Sequence, residues 1–260
     1  MSRPAPFSFY EFFAGGGMAR TGLGPGWTCL FANDFDARKA EAYRANFGGA
    51  DLTVGDVWDL SARDLPGRAD LAWASSPCQD LSLAGARGGL AGKRSSAFWG
   101  FWRLMEQLAA EGRAPRAIGI ENVTGLSSSH GGADFTALCA ALAGLGYGFG
   151  ALEVDAAMFT PQSRPRLFVL AVKDAISGPG GPGGFHSPAV MKAFERLPEG
   201  LKDRWVWWRA PPPARRNLGL ADVLEPDEDT AWLSPAQGER LVSLMGPLHR
   251  ARLEALKIMG

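Results

Sequence analysis

The chain has 260 residues, 27 of them basic and 27 acidic, so its formal net charge is zero. A composition of 46% hydrophobic and 21% charged residues excludes global disorder, and the length holds one to two domains. A strongly basic nucleic-acid-binding chain is excluded as well, so any contact with nucleic acid has to come from a local patch. No stretch reaches the ~18 apolar residues of a membrane span. The opening MSRPAPFSFYEFF lacks the regions of a secretory signal, and a cytoplasmic protein is expected. Cys29, Cys78 and Cys139 are odd in number and widely spaced, which excludes a disulfide scaffold and a four-cysteine zinc site. His130, His186 and His249 have no ligand spacing, so no metal is expected.

In chain order, residues 7–13 read as an apolar strand halted by Gly15-Gly16-Gly17, and residues 28–32 as a second strand halted by Asn33-Asp34. Residues 37–47 read as a helix with Ala40, Tyr43 and Phe47 on one face. A short strand over 70–74 stops at Ser75-Ser76-Pro77. Residues 98–110 place Phe98, Phe101, Trp102, Met105 and Leu108 at helical spacing. A buried strand over 117–120 runs into Glu121-Asn122. A helix over 134–145 is closed by Gly146, and residues 167–172 form the last apolar strand. Strands alternating with helices imply an α/β fold, a mostly parallel sheet with helices on both faces.

After Lys173 the character changes to a Gly/Pro-rich run, SGPGGPGGFHSP, and then a Trp-rich one, RWVWWRAPPPARR. A boundary is therefore expected near 175, dividing the chain into 1–175 and 176–260. Trp205, Trp207 and Trp208 with nearby arginines suit nucleic acid. The alternation of Trp205 and Trp207 favours the other reading, a local hydrophobic cluster.

Four short segments carry chemistry. The glycines after the first strand let a ligand approach the backbone closely, and a following helix N-terminus favours polar groups. Asp34, nineteen residues beyond Gly15, stands where an acidic side chain accepts from a ribose diol. Arg20 replaces the third glycine of the strict dinucleotide pattern, so an ordinary tight turn stays open. Asp56 in GDVWDL reads as a contact for an adenine or as a plain turn residue.

Cys78, stiffened by Pro77, follows a strand end where open α/β sheets bind ligands; it reads as a nucleophile or as a small buried thiol. Glu121-Asn122-Val123 follows another strand. A partly desolvated Glu there can donate a proton, while an acidic helix cap is the alternative. In Gln162-Ser163-Arg164-Pro165-Arg166, period two puts Gln162, Arg164 and Arg166 on one face. Forked guanidiniums there suit a carbonyl or phosphate oxygen, and a solvated basic strand end is the alternative.

Taken in order, FAGGG, ND-x-D, GDVWDL, PCQ, ENV and Q-x-R-x-R resemble the cytosine carbon-5 DNA methyltransferases over residues 7–172. The helix with Tyr43, Asn46 and Phe47 is also typical of that family. The resemblance implies a Rossmann-like class I methyltransferase fold that binds S-adenosyl-L-methionine. Phe13, Ala14, Gly15, Gly17 and Met18 would line the methionine and sugar side of its pocket, with Pro77 alongside. Asp34 would hold the ribose, Phe35 and Val57 would pack on the adenine, and Asp56 would accept from its amino group.

The resemblance also implies double-stranded DNA as partner and a cytosine flipped from the duplex. Cys78 would attack ring carbon 6, Glu121 would serve ring nitrogen 3, and Arg166 would hold the base carbonyl. Arg164 would support the Cys78 loop and the ring, and Asn122 would orient that loop. The family's closing segments find no match before Gly260. Residues 176–260 are accordingly expected to begin a target-recognition region, and a fragment, a split enzyme with a second chain or a degraded gene would each give this picture. A related tRNA cytosine methyltransferase, a non-catalytic subunit and a nicotinamide-dependent Rossmann enzyme are the competing readings. The last leaves PCQ and ENV unexplained.

Overall fold

The computed structural model of the chain describes residues 7–77, 97–175 and 180–211, and Cys78 lies outside them. The chain divides into two compact units. The first is Met1–Val154 with Arg166–Ala210, and the second is Asp155–Pro165 with Pro211–Gly260.

Seven strands form one sheet: β1 (Phe7–Phe12), β2 (Trp27–Asp34), β3 (Leu52–Val54), β4 (Leu71–Ala74), β5 (Ala117–Val123), β6 (Tyr147–Asp155) and β7 (Pro165–Lys173). Their order is β3-β2-β1-β4-β5-β7-β6. The first five pair in parallel, and β7 runs antiparallel to β5. The order reverses between β1 and β4, the crevice where open α/β sheets bind ligands.

The two faces of β1 define two cores. Tyr10 and Phe12 enter a large cluster with Phe98, Phe101, Leu104 and Leu108 of helix α3 (Ala97–Ala110). Phe9 enters a smaller one with Cys29, Ala32 and Tyr43. A strand covered on both faces reads as a near-continuous apolar run, and FSFYEFF is one broken only by Ser8 and Glu11. Helix α1 (Met18–Leu23) follows the glycine turn. Helix α2 (Ala37–Phe47) keeps the bounds read from the sequence because both ends are chemically marked. The Asp36 side chain accepts from the N–H groups of Arg38 and Lys39, and Gly48 closes the other end at a φ of 76°. Helix α4 (Ala133–Gly144) completes the large core with Phe135, Leu138 and Leu142. No helix among the described residues is long and apolar enough to cross a membrane.

Three expectations need correction. β5 does not stop at Ile120 but continues through Val123, so Glu121 and Asn122 are strand residues. β6 has no counterpart in the sequence reading. Gly148 and Gly150 interrupt its apolar pattern, and both are needed because backbone carbonyls, of Ala175 and Val206, lie where a Cβ would stand. The boundary near 175 falls inside the first unit. Residues 180–210 pack there through helices α5 (Pro188–Glu195) and α6 (Glu199–Lys202) and through Trp205. The ring of Trp205 is 1% exposed and contacts Phe135, Phe149, Phe194 and Trp207. The Val206 N–H donates to the Phe149 carbonyl at 2.7 Å, which shields the β6 edge. Trp205 and Trp207 of the Trp-rich segment thus belong to the hydrophobic cluster.

Candidate active site

The glycine turn is shaped by its neighbours. Phe13, Gly15 and Gly17 all have positive φ, at 56°, 55° and 86°. Phe13 is the costly one, since a bulky side chain is disfavoured there. The Ala14 N–H donates to the Asn33 carbonyl at 3.0 Å, and Gly17 N–H donates to the Ala14 carbonyl at 2.8 Å. A Cβ on Gly17 would collide with the Phe47 ring of α2, while a Cβ on Gly15 would meet nothing within 4 Å. Gly17 is therefore glycine for packing as well as for its positive φ, and Gly15 borders open space. Asn46 of α2 donates to the Gly16 carbonyl at 3.2 Å. Met18 is exposed.

At the end of β2, Asp34 is buried and accepts from Gly15 N–H at 2.7 Å through one oxygen and from Asp36 N–H at 2.8 Å through the other. A carboxylate has about four lone-pair sites, so two remain for further donors. Phe35, beside it, is 75% exposed. Asn33 donates to the carbonyls of Thr53 and Gly55, both at 3.0 Å, and so fixes the approach to Asp56. Asp56 accepts from the N–H of Trp58 at 3.0 Å. The Val57 side chain is turned into the large core, close to Gly100 of α3.

At the ends of β4 and β5, Ser76 is buried and Pro77 is exposed. The Asn122 amide donates to both the carbonyl and the hydroxyl of Ser76, each at 3.1 Å, and its own oxygen accepts from Val123 N–H at 2.8 Å. Asn122 thus holds the residue two places before Cys78. Glu121, on the opposite face, pairs with Arg166: Oε1 to Nε is 2.9 Å. In the antiparallel register Glu121 stands opposite Phe168 and Val123 opposite Arg166, so the ion pair is a diagonal one on a single face. On that face Trp73 covers Gly119, whose missing side chain makes the room.

Arg164 belongs to the second unit. Residues 160–162 bend and the strand begins at Pro165, so Gln162 is not on a strand with Arg166 as period two implied. Among the described residues, no group of three or more His, Cys, Asp or Glu side chains is placed to hold a metal ion.

Sequence reasoning missed Glu11, in the middle of β1. It is 1% exposed; Oε1 accepts from Arg20 N–H at 3.4 Å, and Oε2 has no partner among the described residues. Burial pushes its pKa up to about 7, against the lowering effect of the N–H groups of Arg20 and Ala19. The available signal was an acid inside an apolar run immediately before the glycine turn.

The first unit therefore gathers the glycine turn, Asp34, Asp56, Ser76, Glu121 and Arg166 at one end of the sheet, where parallel strands end and β7 begins. The family description C-5 cytosine-specific DNA methylase matches residues 7–199. The chain belongs to this family. The match takes in every candidate residue from Phe13 to Arg166. Among relatives of this methylase family, the type II methyltransferase M.BsuFI of Bacillus subtilis is 30% identical over 207 residues, 79% of this chain and 45% of its own length. M.HpaII of Haemophilus parainfluenzae is 30% identical over 200 residues, 75% of this chain and 50% of its own. The chain thus spans about half the length of these relatives.

Two solved structures share the fold. The S. pombe Dnmt2 methyltransferase aligns at a TM-score of 0.55 and 22% identity, over 66% of this chain and 52% of that one. A mutant of Spodoptera frugiperda DNMT2 aligns at 0.60 and 18% identity, over 91% and 65%. With the sheet order above, they give this chain the Rossmann-like methyltransferase fold expected from its sequence.

Proposed function

We propose that the chain transfers a methyl group from S-adenosyl-L-methionine to carbon 5 of a cytosine flipped out of double-stranded DNA. The observation that carries this reading is the paired strand-end geometry of β5. Asn122 holds Ser76 ahead of the Cys78 loop, while its neighbour Glu121 holds Arg166 on the other face. The description of the family and the bacterial type II methyltransferases among its relatives support DNA as substrate.

The residues at the glycine turn fit the methyl donor. Asp34 keeps free lone pairs for a ribose diol, Phe35 offers an exposed ring to an adenine, and Gly15 opens onto space that a side chain would narrow. Phe13, Ala14, Gly17 and Met18 belong to the same turn, with Asp56 and Pro77 on the base side, whereas Val57, expected against the adenine, is buried in the large core and leaves that role. When bound, S-adenosyl-L-methionine supplies an electrophilic methyl on a sulfonium.

Carbon 5 of cytosine is a poor nucleophile until the ring loses its aromaticity. The Cys78 thiolate adds to carbon 6 and drives electron density toward carbon 5. Glu121 keeps a proton at ring nitrogen 3 through the carboxylate oxygen that Arg166 does not hold. Arg166 meets the base carbonyl, and its guanidinium is aimed by the ion pair to Glu121. Loss of the carbon-5 proton and departure of Cys78 restore the aromatic base.

The test is transfer of labelled methyl to duplex DNA and to tRNA in parallel, with the product base identified. Label recovered as 5-methylcytosine in DNA supports the reading. Label in tRNA alone moves the substrate to RNA, and label in neither overturns the reading.

A further inference from the structure

The loop of the second unit, Asp155–Pro165, is tied together by its first residue. Asp155 Oδ1 accepts from the N–H of Ala157 at 2.9 Å and from the N–H of Arg164 at 2.7 Å. Its other oxygen accepts from the Ser163 hydroxyl at 2.9 Å. The Ala156 N–H donates in turn to the Arg164 carbonyl at 3.3 Å. Both backbone groups of Arg164 are therefore held by the two residues that open the loop, although the two ends are nine positions apart. Burial works to raise the Asp155 pKa, but the N–H groups of Ala157 and Arg164 and the Ser163 hydroxyl outweigh it and hold the pKa down. The carboxylate is thus charged at neutral pH, and its bonds are of the stronger, charge-assisted kind.

What this clamp presents is an exposed surface of mixed character. Arg164 is exposed, and Met158 and Phe159 on the same loop are exposed at 37% and 45%. An exposed guanidinium on the same loop as exposed apolar side chains suits a strand of nucleic acid, with charge for phosphate or base oxygens and the Phe159 ring for stacking. A flexible loop would pay for that contact in ordering entropy, and a preset one does not.

We propose that Asp155 is a positioning residue that fixes the backbone of this loop so that Arg164 is presented to the nucleic-acid substrate. The inference rests on the nucleic-acid reading given above for its purpose, and on hydrogen bonds alone for its geometry.

The experiment uses the full chain and four variants: Asp155→Ala, Asp155→Asn, Arg164→Ala and the double alanine variant. Amide hydrogen exchange reads the loop, and KM for duplex DNA and for S-adenosyl-L-methionine reads its use. In Asp155→Ala, exchange protection at Ala157 and Arg164 is lost and KM for DNA rises about tenfold, as in Arg164→Ala, with the double variant no worse than either. KM for the methyl donor stays within about twofold, which a general loss of structure would not allow. Asp155→Asn keeps one accepting oxygen and stays within about threefold of wild type.

Additive effects of the two alanine substitutions overturn the proposal, and so does an unchanged KM for DNA. Exchange needs no catalysis, so a chain that methylates nothing fails the functional reading and still leaves the loop decided. Unchanged protection at Arg164 in Asp155→Ala then overturns the clamp.

Discussion

Glu121 and Arg166 form an ion pair of 2.9 Å across the antiparallel junction of β5 and β7, one carboxylate oxygen to the guanidinium Nε. On the proposed mechanism the other oxygen of Glu121 serves the base. Glu121→Gln keeps the shape and removes the proton that can be shared with the base. It is expected to lower kcat by about a hundredfold or more while cofactor affinity holds. Single-turnover transfer beside a titration with S-adenosyl-L-methionine measures both, and an unchanged rate removes Glu121 from the chemistry.

Asp34 accepts from the N–H groups of Gly15 and Asp36 and is buried. Asp34→Ala removes the proposed acceptor for the ribose and the clamp on the glycine turn together. Loss of charge-assisted bonds of this kind corresponds to a rise in cofactor Kd of roughly tenfold to a hundredfold. Calorimetric titration of the two proteins checks it, and equal Kd values would show that Asp34 serves the turn alone.

Glu11 gives the fold a pH dependence. Its pKa is about 7 in the folded chain and 4.5 in a free side chain, so the folded state holds the proton more tightly. Its contribution to stability is full below pH 4.5 and is lost as pH rises through 7, a span worth on the order of 3 kcal/mol. Glu11→Gln stays neutral and is expected to flatten the decline between pH 5 and about 8. Denaturant titrations of both proteins across that range decide it; parallel pH profiles would contradict the assignment.

Trp205 anchors residues 180–210 among four aromatic rings. Trp205→Ala is expected to cost about 3–5 kcal/mol of stability, as a large core truncation does. Thermal unfolding measures it. A stable variant with weakened DNA binding would instead return the tryptophan to the substrate.

Much of this was legible in the sequence for physical reasons. Helix α2 announced both ends through the Asp36 cap and Gly48, and the glycine turn announced itself because Gly15 and Gly17 need positive φ. Asn122 was readable as a support for the Cys78 loop, but that it grips Ser76 needed the fold, since β4 and β5 are neighbours only through pairing. β6 was hidden by the glycines that let Ala175 and Val206 approach it. Glu11 looked like an interruption in an apolar strand, because burial and not residue type gives it its character. Asp155 was invisible for a similar reason: its three acceptor bonds close a loop, and nothing in the local pattern marks their far end at Arg164.

The most direct measurement is transfer of labelled methyl from S-adenosyl-L-methionine to unmethylated duplex DNA by the wild-type chain and by Cys78→Ser, each checked for cofactor binding. Wild-type label at carbon 5 of cytosine, with none from Cys78→Ser at equal cofactor affinity, is the predicted result. Equal label from the two proteins, or none from the wild type, would contradict it.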